Sequence, residues 1–342
     1  MSCREFLPLP ASLFDAHTRK IHWGTFQGQV ENCNLINIPG MYSSENKNDK
    51  RLKEWQAFQL GDGDRFICGA VYNAKKFAVI ALAYYQRSTN THHLYKKFVR
   101  PSRVSVADGS LPSITNFSHQ SNEPHYRITR DQQTGCEIDI YWPASGKLPE
   151  LKIKAELQDN YNGMTICQPF ASQRPLYSYK NVMKASADIQ LGTRIHHIQP
   201  DNGYAIIDDH KGYYPKEVNY DWGTAADHVG GRLIGFNLTR NQIINQERYN
   251  ENCLWIDDNL YLLPAITVTH HEDHWHYQDQ NGDIDLKFYP LVKNNQKFHL
   301  GFVYMNYQGP FGHFEGHISH PNSGRIAINN MLGMAERKRY KL

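Results

Sequence analysis

Three clusters of side chains in this sequence have the types and spacing to do chemistry. The first is DDHKGYYPKEVNYDW, residues 208–222, which sets His210 and Lys211 among acids with Tyr213, Tyr214, Asp221 and Trp222. An imidazole beside a carboxylate can take or give a proton, an ammonium can steady developing negative charge, and aromatic rings keep water away from both. The second is Lys53-Glu54-Trp55. A carboxyl buried beside an indole stays protonated, because burial disfavours the charged form, and a neutral acid can protonate a substrate. On a solvated helical turn the same residues are ordinary: Lys53 and Glu54 meet water and only Trp55 packs.

The third cluster is THHEDHWHY, residues 269–277. His270, His271, His274 and His276, with Glu272 and Asp273, are metal-ligand types, and on a strand His274 and His276 share a face. No spacing here matches a zinc pattern, and a polar hairpin end accounts for the cluster. The expectation is therefore no bound metal and no cofactor. Asn237 adds a polar group inside the apolar run FNL. An unpaired buried amide costs on the order of 1–3 kcal/mol, so it needs partners, and Glu251 and Asn252 are available to it or to a pocket. Both a network tying a turn and a ligand site account for the stretch from His210 to Asn237.

The scaffold that must hold these groups reads as strands. In LKIKAEL, Leu151, Ile153, Ala155 and Leu157 fall on one face and Lys152, Lys154 and Glu156 on the other, the period of a half-buried strand. RFICGAVY and FAVIALAYYQ form a hairpin, and HHLYKKFVR is a further strand. A short helix is expected around Arg51–Trp55, before a turn at Gly61–Asp64. YAIIDDHKGYYP reads as a strand ending at Asp208–His210, turned by Gly212 and Pro215. Asp257-Asp258-Asn259 has hairpin-turn chemistry. Such short strands with few helices predict an all-β protein of two antiparallel barrel or sandwich domains, 1–180 and 181–342, divided in the Pro/Tyr-rich FASQRPLYSYKNVMK.

Composition narrows the function. The 342 residues carry 37 Lys and Arg against 34 Asp and Glu, with no basic stripe except the tail AERKRYKL, which reads as a solvated end. Nucleic acid is therefore not an expected partner. The six cysteines are scattered without a C-x-x-C pair, as expected of reduced thiols in a cytoplasmic protein. The N-terminus lacks the pattern of a secretory signal, and no run approaches the length of an apolar transmembrane helix. Dinucleotide, P-loop, zincin and nucleophile-elbow motifs are absent.

Several ordered pieces carry a resemblance: RLKEWQ at 51–56, DDHKGYYP at 208–215, GRLIGFNLT at 231–239, NENCLWIDDNLYLLP at 250–264, NGDIDLKFYPL at 281–291, FGHFEGHI at 311–318 and GMAE at 333–336. With Trp222 and Trp275 they make the chain similar to a mostly bacterial family known as domain of unknown function 2804. That family is distantly similar to lipocalin-like two-domain proteins, among them carotenoid hydratases, AttH-type proteins and fungal cyclases. The resemblance implies two β-barrel or sandwich halves with an apolar cavity. It does not give a reaction. Where the family often has a W-x-W turn this chain has YDWG, with Tyr220 in place of one aromatic, and the THHEDH stretch looks particular to this protein.

Two functions follow as expectations. One is a cofactor-independent lyase, hydratase or isomerase acting on a hydrophobic small molecule, with Glu54 or Asp221 as acid and His210 and Lys211 orienting or stabilising charge. Trp55, Tyr213, Tyr214, Trp222, Trp275 and Phe311 would line its cavity, and Lys53, Asn237 and Glu251 would complete the binding set. The other is a carrier that uses the same cavity without catalysis.

Overall fold

The computed structural model describes residues 4–38, 42, 44–109, 112–117, 123–131, 135–300 and 303–341. As the alternation predicts, the protein is built almost wholly from antiparallel strands arranged as two curled sheets. Among the described residues the one α-helix is Glu45–Arg51. It ends where Lys53 begins a nine-residue strand, so the helix expected at Arg51–Trp55 lies one turn earlier in the chain and Trp55 sits in the sheet. The run EWQAFQLG holds aromatic and apolar residues that pack on two faces, which a pleated strand accommodates and an exposed helix would waste.

The strands that position the site are labelled here in chain order. In the first sheet they are β1 (Lys53–Gly61), β2 (Arg65–Asn73), β3 (Met164–Ala171), β4 (Arg174–Leu191) and β5 (Tyr204–Gly212). In the second they are β6 (Glu217–Val229), β7 (Arg232–Arg240), β8 (Cys253–Ile256), β9 (Phe311–His320) and β10 (Gly324–Lys341). β5 pairs with β1 on one side and β4 on the other, and β10 lies between β6 and β9. Residue 180 lies inside the continuous β4, and the chain passes from the first sheet to the second between Gly212 and Glu217. β6 turns into β7 through Gly230 and Gly231, both at positive φ, the two-residue turn whose twist suits a hairpin.

Each sheet has its own core on one face. Leu151, Ile153, Ala155 and Leu157 are buried as their spacing predicts, with Phe58, Leu60 and Ile207 in the same cluster. Phe236, Leu254, Tyr277, Phe288 and Phe314 build the second core. Each such side chain contributes roughly 1.5–3 kcal/mol when withdrawn from water. The opposite faces of the two sheets meet each other. Met164, Ile166, Val182 and Ile206 of the first pack there with Ala226, Leu233, Cys253 and Trp255 of the second. A second apolar patch joins Phe66, Ala83 and Tyr85 to Phe311, Leu332 and Met334. Part of the polar set lies on these facing surfaces and the rest on the core sides.

Candidate functional site

Strand alternation decides which functional residues meet. Register pairs His210 with Trp55 and Ser178, and Asp208 with Ala57 and Lys180, so all of them project from the face of the first sheet turned toward the second. Asp209 and Lys211 project the other way, opposite Gln56 and Glu54. The stretch read as a strand ending at Asp208–His210 continues through Gly212, and this one feature separates its polar residues onto two faces.

On the inter-sheet face the charges form one buried network. Lys180 Nζ lies 2.6 Å from Asp208 Oδ1 and 3.4 Å from Glu251 Oε2. His210 Nε2 is 2.9 Å from the same Asp208 oxygen, so Lys180 and His210 converge on one acceptor. Ser178 Oγ lies 3.3 Å from His210 Nε2 and donates to Glu251 Oε2 over 3.3 Å, and Gln168 donates to the other Glu251 oxygen. Burial alone would raise the Asp208 carboxyl, but Lys180 and His210 outweigh it and hold Asp208 well below the usual carboxylate range. Lys180 is correspondingly raised against its own desolvation by Asp208 and Glu251.

The second sheet closes over this floor. Lys180 Nζ sits 5.6 Å from the Trp222 ring centre, a cation–π contact between the sheets. Trp222 Nε1 donates to Asn237 Oδ1 over 2.6 Å, and Asn237 Nδ2 donates to the Glu251 carbonyl over 2.8 Å. The Asn237 amide therefore finds the partners its burial requires. On the first sheet Trp55 stacks on His210 with centroids 4.4 Å apart, and Tyr214 stacks on Trp55 at 5.8 Å. His210 Nδ1 is buried with no hydrogen-bond partner among the described residues.

Aromatic residues flank this network on the facing surfaces. Tyr72, Tyr214, Tyr220, Tyr307 and Tyr340 are all half-buried, with Ala57 and Ala70 leaving room between them. They border the gap between the two sheets, the cleft. Burial pushes Tyr72 up to about 12 and Tyr214, Tyr220 and Tyr307 well above the ordinary phenol value. Glu336 accepts from Tyr220 over 2.8 Å and from Tyr307 over 2.6 Å.

The cleft thus unites His210, Trp55, Tyr214, Trp222, Asn237 and Glu251 from the sequence expectation. The others lie elsewhere. Glu54 faces the first core and is fully engaged: Lys75 at 2.7 Å, Lys211 at 2.7 Å and Asn73 at 3.2 Å. Lys211 also meets Asp108, and Tyr213 donates to the Leu35 carbonyl. Lys53 donates to the Ala74 carbonyl. Asp221 faces the second core, 2.8 Å from His270 Nε2 and 3.6 Å from Arg240. Trp275 is packed in that core, and Phe311 lies in the apolar patch against Phe66. Glu54, His210 and Asp221 therefore occupy three separate environments, because neighbours in a strand point to opposite faces.

Residues 267–278 form a hairpin, Thr267–His270 against Trp275–Gln278. Its histidines take separate carboxylates, His274 with Asp273 and His276 with Asp285. Among the described residues no three His, Cys, Asp or Glu side chains converge as metal ligands. The five described cysteines are free thiols, and Cys3 lies outside the described residues.

Lys180 and Ser178, which the sequence reading does not single out, lie inside FASQRPLYSYKNVMK. Glu336, Lys338 and Tyr340 belong to the tail that reads as a solvated end. In fact GMAERKRYK is the end of the 18-residue β10, and these three alternate onto the cleft face. The period-two spacing of Glu336, Lys338 and Tyr340 was the available signal.

Fold and site together define an all-β protein of two curled antiparallel sheets with a buried ion network and half-buried aromatic rings between them. The chain belongs to the family described as domain of unknown function DUF2804, whose model matches residues 7–342. No curated protein matches it. Similar solved structures include kievitone hydratase from Nectria haematococca, at 10% identity over 84% of this chain and 88% of that one, TM-score 0.48. CghA is similar at 10% identity over 98% of this chain and 97% of its own, TM-score 0.45. No helix among the described residues is long and apolar enough to cross a membrane.

Proposed function

We propose that the protein binds a flat, mainly apolar small molecule in the inter-sheet cleft and moves one of its protons without a cofactor. Hydration, dehydration and isomerisation share this step, and His210 is the group that carries it out. The supporting observation is the state of its ring. Nε2 is anchored on Asp208, while Nδ1 is buried with no hydrogen-bond partner among the described residues. With the Nε2 proton directed at Asp208, Nδ1 carries the lone pair and can accept a proton, after which Asp208 stabilises the imidazolium. Lys180, Ser178 and Glu251 hold the pair in place, and Trp55 covers one ring face. Tyrosine rings supply an apolar wall for an unsaturated ligand.

A carrier function is the second reading. It is favoured by the complete pairing of Lys180, Asp208 and Glu251, which suits a purely structural network. The free cysteines fit the cytoplasmic location that forms part of the proposal.

The test is to identify the small molecule that co-purifies with the native protein by mass spectrometry, then incubate it with protein in deuterated water. Deuterium incorporation that disappears in His210→Gln supports proton transfer. A bound ligand that takes up no deuterium leaves only the carrier.

A further inference from the structure

Among the described residues Lys338 stands in an unusual place. Its Nζ lies 5.9 Å from the ring centre of Tyr72, 5.9 Å from that of Tyr307 and 5.5 Å from that of Tyr340. Tyr72 belongs to the first sheet and the other two to the second, so the ammonium sits between the sheets in a box of phenol rings. No carboxylate or carbonyl is within hydrogen-bond distance of it among the described residues. Glu336 is two residues away on the same face, but its oxygens are taken by the hydroxyls of Tyr220 and Tyr307. The three rings stay neutral, since burial raises all three phenols, and so supply no counter-charge. A cation this deep is normally paired. Lys338 is instead half-exposed to the cleft, and its pKa is lowered, by desolvation first and then by Lys96, against Glu336.

Lys96 stands nearby at the exposed side, its Nζ 5.0 Å from the ring centre of Phe98, which is 65% exposed. Tyr72, Phe77 and Phe98 follow one another at 6.2 Å, leading from the box outward. In the other direction Trp55 links Tyr72 to His210.

We propose that Lys338 is the anion-binding residue of the cleft, and that the ligand is a planar molecule bearing an acidic oxygen, a carboxylate or an ionised phenol or enol. Resting on the reading of the cleft given above, this assigns its substrate class. The oxyanion supplies the hydrogen-bonding partner the ammonium lacks, the tyrosine rings hold the flat body, and the far end of the molecule lies toward His210. Removal of a proton from such a molecule builds negative charge, which a resident cation steadies.

The experiment is a calorimetric titration of the purified protein with 2-naphthoate and with the uncharged 2-naphthalenemethanol. Naphthoate should bind about tenfold tighter, the scale of one charge-assisted hydrogen bond. That preference should vanish in Lys338→Met and persist in Lys338→Arg. Reductive 13C-methylation of the native protein gives a second reading that needs no neutral variant. The dimethyl-lysine resonance missing from Lys338→Arg should shift on adding naphthoate and not on adding the alcohol. Equal affinity for the two probes, a preference that survives Lys338→Met, or a Lys338 resonance unmoved by naphthoate would each overturn the assignment. A Lys338-dependent preference without any deuterium exchange would sink proton transfer and leave this site standing.

Discussion

The Trp55 indole lies flat on the His210 imidazole, with ring centres 4.4 Å apart and planes 17° apart. The two are direct cross-strand partners on β1 and β5, so the stack is fixed by register and not by a loop. It covers the imidazole from one side while Asp208 anchors its edge. Trp55→Phe should keep the cover and change stability by less than about 1 kcal/mol. Trp55→Ala should uncover the ring, cost about 2 kcal/mol in urea unfolding and slow deuterium exchange into the bound ligand by at least about tenfold, because water then competes for His210.

Lys180 compensates two buried carboxylates at once. Lys180→Met should therefore destabilise the fold by about 3–5 kcal/mol, the cost of leaving buried charge unpaired. Lys180→Met combined with Asp208→Asn should recover part of that loss in a double-mutant cycle followed by urea unfolding. Additive losses would show that Asp208 and Lys180 do not depend on each other.

Much of this architecture was legible in the sequence, and the limits have a physical cause. Strict alternation in LKIKAEL located a half-buried strand, and Asp257-Asp258 marked a hairpin turn, because both are local. Which polar residues would meet was not local. Glu54 and Trp55 are adjacent in sequence but face opposite sides of the sheet, and His210 meets Lys180 only because β4 and β5 pair in one register. A one-residue slip would have exchanged Asp208 for Asp209 at the site. Asn237, by contrast, could be read in advance: an amide inside an apolar run demanded partners, and Trp222 and Glu251 supply them.

Asp209, on the opposite face of β5, should govern part of the pH dependence of stability. Burial raises its carboxyl from 3.8 to about 6, although Arg130 opposes the shift. Between those values the folded protein binds a proton that the unfolded chain has released. Stability from this residue is therefore greatest at the acid end of the window and is lost as pH rises through about 6. Asp209→Asn cannot ionise. It should be more stable than wild type at neutral pH by roughly 3 kcal/mol, and the advantage should shrink to nothing as the pH falls below the unfolded carboxyl's range. Thermal unfolding measured across that range checks both the sign and the window.

Glu54 offers a contrast between structural and chemical roles. It neutralises Lys75 and Lys211 on the face away from the cleft. Glu54→Gln keeps the shape and leaves those two ammonium groups without their shared carboxylate, so urea unfolding should report a loss of about 2–4 kcal/mol. Deuterium exchange into the bound ligand, measured per folded molecule, should be unchanged, since no ligand in the cleft can touch Glu54 through the sheet. A large fall in exchange with stability intact would return the acid to Glu54 and move the reacting centre from the cleft to the first core.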